Sequence, residues 1–141
     1  MKLSVIIPVY NERETIAETI VRVRASPVEK EIIVVDDASG DGTAELVASL
    51  AGEDLRLIRQ PTNQGKGSAI RRALADVSGE IVIIQDADLE YDPADYPALI
   101  APILSGETPV VYGTRAPRFE GMGWPHRVFN WIAAFLANLL Y

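Results

Sequence analysis

EIIVVDDASGDGT, at residues 31–43, indicates the architecture of the chain. It begins with a run of apolar and β-branched residues, closes that run with Asp36-Asp37, and continues with small and polar residues. Two further segments, SVIIPV at 4–9 and EIVIIQD at 80–86, are also continuously apolar rather than alternating. Strands that helices cover on both faces have this pattern. The sequence therefore predicts a parallel or mostly parallel sheet.

Four strong strand segments and one weaker one are predicted, and segments with helical spacing lie between them. The strands are Leu3–Val9, Glu31–Asp36, Leu55–Arg59, Glu80–Gln85 and the weaker Pro109–Gly113. The helices are Glu12–Arg24, Gly42–Leu50, Gly67–Val77 and, after Asp92-Pro93, Asp95–Leu104. Helical spacing places Ile16, Ile20 and Val23 on one face of the first helix and groups Ile70, Ala73, Leu74 and Val77 in the third. This alternation predicts an α/β fold, a three-layer sandwich around a mostly parallel, Rossmann-like sheet.

The composition favours one soluble domain with a sizeable core. The 141 residues are 48% hydrophobic and 23% charged, and they include no cysteine, which excludes disulfides and thiolate metal sites. A formal net charge of -7 argues against nucleic acid as a partner, because binding a phosphate backbone requires a basic face. The N-terminus does not resemble a signal peptide, so we expect a cytoplasmic protein.

The C-terminal segment differs in character from the rest. We predict a domain at residues 1–124 and, at 125–141, the start of an apolar helix that ends without a helix-ending signal, as if the chain were truncated. A core helix and a helix lying at a membrane interface both explain this apolar tail. Peripheral contact with the cytoplasmic face of a membrane therefore stays open.

The residues just after each strand are the candidates for function, because ligands of open α/β sheets bind beyond the carboxyl ends of the strands. Asp86 and Asp88 follow the fourth strand and can converge on one point. Two carboxylates suit Mg²⁺ or Mn²⁺, and Glu90 is a candidate third ligand. The alternative is that the aspartates cap a turn before Asp92-Pro93.

Other polar residues are predicted to face the same crevice. Asp36 and Asp37 follow the second strand, and a buried acidic pair needs partners, so at least one of them is expected to accept from a ligand N–H or hydroxyl. Tyr10 offers a stacking face and Glu12 an acceptor, although Glu12 also suits the first turn of a helix.

Two basic features complete the candidate site. Arg115, after the fifth predicted strand, suits a diphosphate through bidentate contacts. Asn63-Gln64-Gly65-Lys66-Gly67 looks like a phosphate-cradling turn at a helix start, but it lacks the spacing of a P-loop.

Taken together, these motifs resemble family 2 glycosyltransferases of the GT-A fold, and most of all the dolichol-phosphate mannosyltransferases and their bacterial polyprenyl-phosphate relatives. The resemblance covers nearly the whole chain in order. The motifs that carry it are Pro8-Val9-Tyr10-Asn11-Glu12, Val35 to Thr43, Asn63 to Gly67, Asp86-Ala87-Asp88-Leu89 and Gly113-Thr114-Arg115.

The resemblance implies a role for each matching position. The nucleotide-sugar pocket would comprise Pro8, Tyr10, Glu12, Val35, Asp37, Asp86, Ala87, Asp88 and Arg115. Within this set, Asp37 would take the base or ribose, and Arg115 would face the phosphates. Asp86 and Asp88, with Glu90, would bind Mg²⁺ or Mn²⁺, although close members of the family often have glutamine at the position of Glu90. Asp86, Asp88 and Arg115 would be the catalytic residues.

The resemblance also implies a reaction, in which a sugar passes with inversion from a GDP-mannose or UDP-glucose type donor to a polyprenyl or dolichyl phosphate. A soluble or polysaccharide hydroxyl acceptor is the alternative, as is a nucleotide-binding fragment without catalytic activity. Two other classes fit less well. A signalling receiver would need a lysine where Arg115 stands, and a dinucleotide dehydrogenase would need G-x-G-x-x-G after the first strand.

Overall fold

The computed structural model of the chain describes residues 1–113, which form one parallel sheet with helices on both faces. The strands are β1 (Leu3–Val9), β2 (Lys30–Asp36), β3 (Leu55–Arg59) and β4 (Ile81–Ile84). The helices are α1 (Ile16–Ala25), α2 (Thr43–Ser49), α3 (Lys66–Leu74) and α4 (Tyr96–Leu104), the last preceded by a 3-10 turn at Pro93–Asp95. The sheet order is β3-β2-β1-β4, and every pairing is parallel. The predicted α/β fold is confirmed.

The larger core lies between the sheet and helices α1, α2 and α4. Alternate residues of β1 face it, and α1 contributes the predicted stripe of Ile16, Ile20 and Val23, all fully buried. Tyr96 and Ile100 bring α4 against the same cluster. Because β1 is central, its whole length is removed from water, which explains the continuous apolar run.

The smaller core lies between the opposite face and α3. Ile6, Ile33 and Val35 meet Ala69 and Ala73, whose small side chains let the helix approach the sheet closely. Leu74, which the helical spacing groups with the inward residues, is instead 47% exposed. The buried stripe of α3 is therefore narrower than predicted.

Helices were expected to cover β4 on both faces, but one of its faces is partly exposed. Val82 and Ile84 pair in register with Ser4 and Ile6 on the α3 side of the sheet, yet they are 39% and 48% exposed. Within residues 1–113, α3 is the helix on this side, and it packs over β1 and β2. The apolar run predicted the strand correctly but not how far its second face is covered.

The start of α1 and the weaker fifth strand also differ from prediction. Helix α1 begins at Ile16, so Glu12 precedes it instead of lying in its first turn. The reason is that Asn11 has φ 56° and the Glu12 N–H is bonded to Thr43 Oγ1, which delays helix formation. Residues 109–113 form no strand, because Thr108 Oγ1 satisfies both the N–H and the C=O of Val110 locally.

The amino ends of the strands are joined by a network around Glu31. Its carboxylate accepts from Ser4 Oγ and the Ser78 N–H, both at 2.6 Å, and Lys2 Nζ lies at 3.5 Å. Burial opposes ionisation, but these donors together lower the pKa of Glu31 to about 2. The turn before β4 is tight, since a Cβ on Gly79 would lie 2.6 Å from the Lys2 carbonyl oxygen.

No helix within residues 1–113 is long and apolar enough to cross a membrane. The predicted boundary at residue 124 and the apolar segment 125–141 lie outside the described residues, so the domain division remains a prediction.

Candidate functional site

A cavity of about 240 Å³ opens at the carboxyl ends of β1, β2 and β4. It is lined by Pro8, Val9, Tyr10, Glu12, Asp37, Lys66, Ala69, Asp86, Ala87 and Asp88. Because the strands are parallel and adjacent, the loops after them meet at one edge of the sheet. The cavity therefore lies where the sequence predicts a ligand site.

The loops after β1 and β2 are joined by reciprocal hydrogen bonds. The Asn11 N–H donates to Ser39 Oγ, and the Gly40 N–H donates to Asn11 Oδ1, each at 2.9 Å. Asp41 Oδ2 accepts from the Arg13 N–H at 3.2 Å, while Asp41 Oδ1 accepts the Thr43 N–H at the start of α2. These contacts fix the wall of the cavity that carries Tyr10 and Glu12.

Backbone strain is concentrated around the cavity. Within residues 1–113, the non-glycine residues with positive φ are Asn11 at 56°, Ala38 at 62° and Leu89 at 64°. They follow β1, β2 and β4 respectively. Such conformations cost about 1 kcal/mol or more per residue and persist where surrounding contacts impose them, often at binding sites.

Asp37 holds the loop that leads into α3. It is only 3% exposed, and its Oδ1 accepts from Gln60 Nε2 and from the Gln64 N–H, both at 2.8 Å. Its Oδ2 accepts from the Gly65 N–H at 2.6 Å. A carboxylate has roughly four acceptor positions, so this arrangement leaves one for a ligand. Asp37 thus positions a loop as well as lining the cavity.

The neighbouring residues of β2 point elsewhere. Val35 is fully buried under α3, and its side chain does not line the cavity, because alternate strand residues face the core. Asp36 faces the opposite side of the sheet and is 1% exposed. Its Oδ2 accepts from the Ser39 N–H at 3.3 Å, while its Oδ1 has no hydrogen-bond partner within residues 1–113.

Buried polar groups hold the Asp86-Ala87-Asp88 segment in place from below. Gln85 donates to the carbonyl oxygens of Asp86 at 3.0 Å and Tyr91 at 3.3 Å, and it accepts from the Tyr96 hydroxyl at 2.7 Å. Burial raises the pKa of Tyr96, so this hydroxyl stays protonated as a donor. Thr19 Oγ1 donates to the Ala87 carbonyl at 3.1 Å. The backbone of the acidic segment is therefore fixed before any ligand arrives.

The carboxylates of Asp86 and Asp88 line the cavity together. Asp88 Oδ1 accepts from the Glu90 N–H at 3.1 Å, and Asp86 Oδ1 contacts Lys66 Nζ at 2.5 Å. Within residues 1–113, no three acidic or histidine side chains are grouped closely enough to hold a metal by themselves. Two carboxylates nevertheless fit Mg²⁺ or Mn²⁺, because phosphate oxygens and water commonly complete that coordination. Ligation by Glu90 stays a prediction.

The charge of the cavity is strongly acidic. Glu12, Asp37, Asp86 and Asp88 contribute four carboxylates, and Lys66 is the one basic side chain among the lining residues that the structure describes. A diphosphate would be repelled by this set unless a cation bound with it. Among the described residues, the arrangement therefore favours an anionic ligand that binds together with a cation.

Most of the predicted pocket is brought together, since Pro8, Tyr10, Glu12, Asp37, Asp86, Ala87 and Asp88 all line the cavity. Arg115 lies outside the described residues. Sequence reasoning did not identify Thr19, Gln85 and Tyr96 as supports of the acidic segment. The polar Gln85, directly after the apolar run 81–84, was the available signal.

The chain matches the family model "Glycosyl transferase family 2" over residues 4–139. It is 38% identical over 118 residues to a dolichol-phosphate mannosyltransferase from Pyrococcus furiosus, an alignment that covers 82% of this chain and 33% of that protein. The chain thus spans about a third of the length of this curated relative.

Two similar solved structures hold a metal and a nucleotide sugar. One is the mannosyltransferase PcManGT from Pyrobaculum calidifontis in complex with GDP-Man and Mn²⁺, at 35% identity and TM-score 0.62, covering 68% of this chain and 30% of that one. The other is glucosyl-3-phosphoglycerate synthase from Mycobacterium tuberculosis with Mn²⁺, UDP-glucose and phosphoglyceric acid. Its identity is 34% and its TM-score 0.59, with 75% of this chain and 40% of that one covered.

Proposed function

The chain belongs to glycosyl transferase family 2, and on this basis we propose that it forms the donor-binding part of an inverting, metal-dependent glycosyltransferase. The observation that carries the proposal is the cavity in which Asp86 and Asp88 face Tyr10, Glu12 and Asp37. Acidic groups supplied by three different strand ends suit a ligand that combines a cation, phosphates and a nucleoside.

Four of the lining side chains are assigned a role in binding the donor. Asp86 and Asp88 would hold the divalent cation, and Asp37 offers its remaining acceptor position to a base N–H or a ribose hydroxyl. The half-exposed Tyr10 provides a ring face beside Pro8. The two similar structures hold a GDP-sugar and a UDP-sugar, which leaves both nucleotides as candidates for this chain.

The chemistry follows from charge. A divalent cation bound at Asp86 and Asp88 would supply neutralisation of the charge that develops on the leaving nucleoside diphosphate. Hydrogen bonds from Gln85 and Thr19 to the Asp86 and Ala87 carbonyl oxygens position the backbone that carries the two carboxylates. Arg115 is proposed to face the same phosphates from the segment beyond the described residues.

A polyprenyl or dolichyl phosphate is the proposed acceptor. Similarity to the Pyrococcus furiosus dolichol-phosphate mannosyltransferase supports it, and an acceptor phosphate is already anionic, so it attacks the anomeric carbon without a general base. We accordingly propose that the reaction takes place in the cytoplasm, at the cytoplasmic face of a membrane. A hydroxyl acceptor is the second candidate, favoured by the phosphoglyceric acid bound in the Mycobacterium tuberculosis structure.

Calorimetry tests the donor proposal directly. We expect UDP or GDP to bind in the presence of Mn²⁺ or Mg²⁺ and to lose at least about 100-fold in affinity on chelation or in Asp88→Ala, since even the residues that orient metal ligands carry effects of about 10- to 100-fold. The matched control is Glu53→Ala, which removes an exposed carboxylate at the opposite end of the sheet. Binding that is indifferent to the chelator and to Asp88→Ala contradicts the proposal.

The acceptor is tested separately, with the longest natural protein that contains this chain. We expect it to transfer sugar from the donor to a polyprenyl phosphate in detergent, with inversion at the anomeric carbon. Transfer only to soluble hydroxyl acceptors would reject the lipid-phosphate part while leaving the donor site intact.

A further inference from the structure

The contact between Lys66 and Asp86 joins the one basic side chain among the described lining residues to a proposed metal ligand. We propose that Lys66 is a built-in counter-ion of Asp86 that a divalent cation must displace, so that metal and donor diphosphate bind cooperatively. The proposal deepens the donor-binding function above and rests on it. Lys66 is a positioning residue in this scheme, because it acts through Asp86 and its cation.

The position of Lys66 is fixed by the loop before it. The side chain belongs to the first residue of α3, directly after Gly65, which has φ 86°. Asp37 binds the N–H groups of Gln64 and Gly65, so the backbone from which Lys66 extends is anchored at the cavity wall. The ammonium then lies 2.5 Å from Asp86 Oδ1.

This ammonium contacts one of the two Asp86 oxygens available to a metal. Asp86 is one of the two carboxylates proposed to bind the cation together, and its Oδ1 is already in contact with Lys66. The Lys66 side chain is 55% exposed and that of Asp86 is 25% exposed. Ion pairs this exposed are weak, so a doubly charged ion that engages both aspartates can displace the lysine.

The displaced ammonium remains beside an acidic cavity that has just received a cation. A donor diphosphate bound to that cation offers it a new anionic partner within reach of the same flexible stem. Lys66 thus lowers the affinity for the metal when the metal binds alone and raises it when the diphosphate is present. By linkage, the nucleotide must raise metal affinity by the factor by which the metal raises nucleotide affinity.

Titration of Mn²⁺ followed by electron paramagnetic resonance, without nucleotide, tests the counter-ion. We expect Lys66→Met to bind Mn²⁺ about 3- to 5-fold more tightly than the unmodified chain, the size expected when a weak exposed pair is removed. The matched control is Arg71→Met on the same helix, which removes one exposed positive charge away from the lining residues. Lys66→Arg should retain the weaker, nucleotide-free Mn²⁺ binding.

Repeating the titration with saturating UDP or GDP tests the coupling. We expect the gain in Mn²⁺ affinity caused by the nucleotide to be at least about 3-fold smaller in Lys66→Met than in Arg71→Met. The nucleotide-free arm does not depend on the glycosyltransferase function, so the two ideas fail separately. If Mn²⁺ affinity does not rise in Lys66→Met, including the case in which neither protein binds Mn²⁺, the counter-ion proposal is overturned.

Discussion

The two ends of the parallel sheet treat their acidic side chains differently. At the amino ends, Glu31 is bonded to Ser4 and Ser78, and Asp54 forms a two-point contact with Arg24 at 2.8 and 2.9 Å. At the carboxyl ends, Asp86 and Asp88 line an open cavity in which the described lining residues contribute four carboxylates and one ammonium. The first arrangement satisfies charge within the protein, whereas the second leaves charge for a ligand.

The backbone shows the same division. The positive φ values of non-glycine residues within 1–113 all occur in loops at the carboxyl ends of strands. At the amino end, by contrast, the turn at Gly79 is packed tightly against Lys2 and Ser4. One end of the sheet thus contributes folding stability, while the other holds strained loops and concentrated charge at a cost in stability.

The largest expected effect comes from Asp37, whose carboxylate both accepts hydrogen bonds within the protein and lines the cavity. Asp37→Asn replaces one of the two acceptor oxygens with an NH₂ group, which then faces either the Gly65 N–H or the donors of Gln60 and Gln64. The unfolding free energy should therefore fall by about 2 to 3 kcal/mol. Nucleotide binding should be lost with it. Urea unfolding and calorimetry measure the two losses.

Asp36→Asn is the matched control for that prediction. Asp36 is equally buried but makes one long hydrogen bond through Oδ2 and none through Oδ1 within the described residues. Its replacement should cost less than half as much. Equal losses for the two variants would show that burial, and not the loop contacts of Asp37, sets the effect.

An intermediate effect is expected at the amino end, from the pH dependence of Glu31. Its pKa in the folded state is about 2, below its ordinary value of 4.5, so its contribution to stability is complete above pH 5 and lost as pH falls toward 2. That loss should be about 2 kcal/mol. Urea unfolding at pH 7, 4 and 2.5 should show it in the unmodified chain and not in Glu31→Gln. Parallel pH profiles would refute the assignment.

The smallest expected effect is an increase in stability, on substitution of Ala38. Its φ of 62° is strained for alanine and free for glycine, so Ala38→Gly should raise the unfolding free energy by about 1 kcal/mol. Ala48→Gly, on the exposed face of α2, should instead lower it by about 0.5 to 1 kcal/mol. Thermal unfolding compares the pair, and a loss in both variants would argue against strain at Ala38.

The sequence predicted the elements that depend on local pattern. Continuous apolar runs located β1, β2 and β4, and the spacing of Ile16, Ile20 and Val23 identified the buried face of α1. Acidic residues at strand ends located the cavity, because a parallel sheet brings those ends to one edge. These features depend on the periodicity of apolar residues and on the order of strands and helices, and both can be read from the sequence.

The sequence did not predict contacts that depend on three-dimensional coincidence. Thr19 reaches the Ala87 carbonyl across 68 positions of chain, and Lys66 reaches Asp86 across 20. The start of α1 at Ile16 instead of Glu12 arises in the same way, because Thr43 Oγ1, which another segment supplies, accepts a hydrogen bond from the Glu12 N–H. No local pattern encodes a partner that another segment supplies.

The reciprocal hydrogen bonds that join Asn11 to Ser39 and Gly40 have a consequence for protein engineering. Because each loop satisfies the other's backbone groups, residues 10–13 and 38–43 form one exchangeable unit rather than two. A chimaera that takes only one of these loops from a relative would leave hydrogen-bond donors and acceptors without partners where the two loops meet. Attempts to alter nucleotide preference by loop exchange should therefore move both segments together and leave α1 and β2, which lie between them in the chain, unchanged.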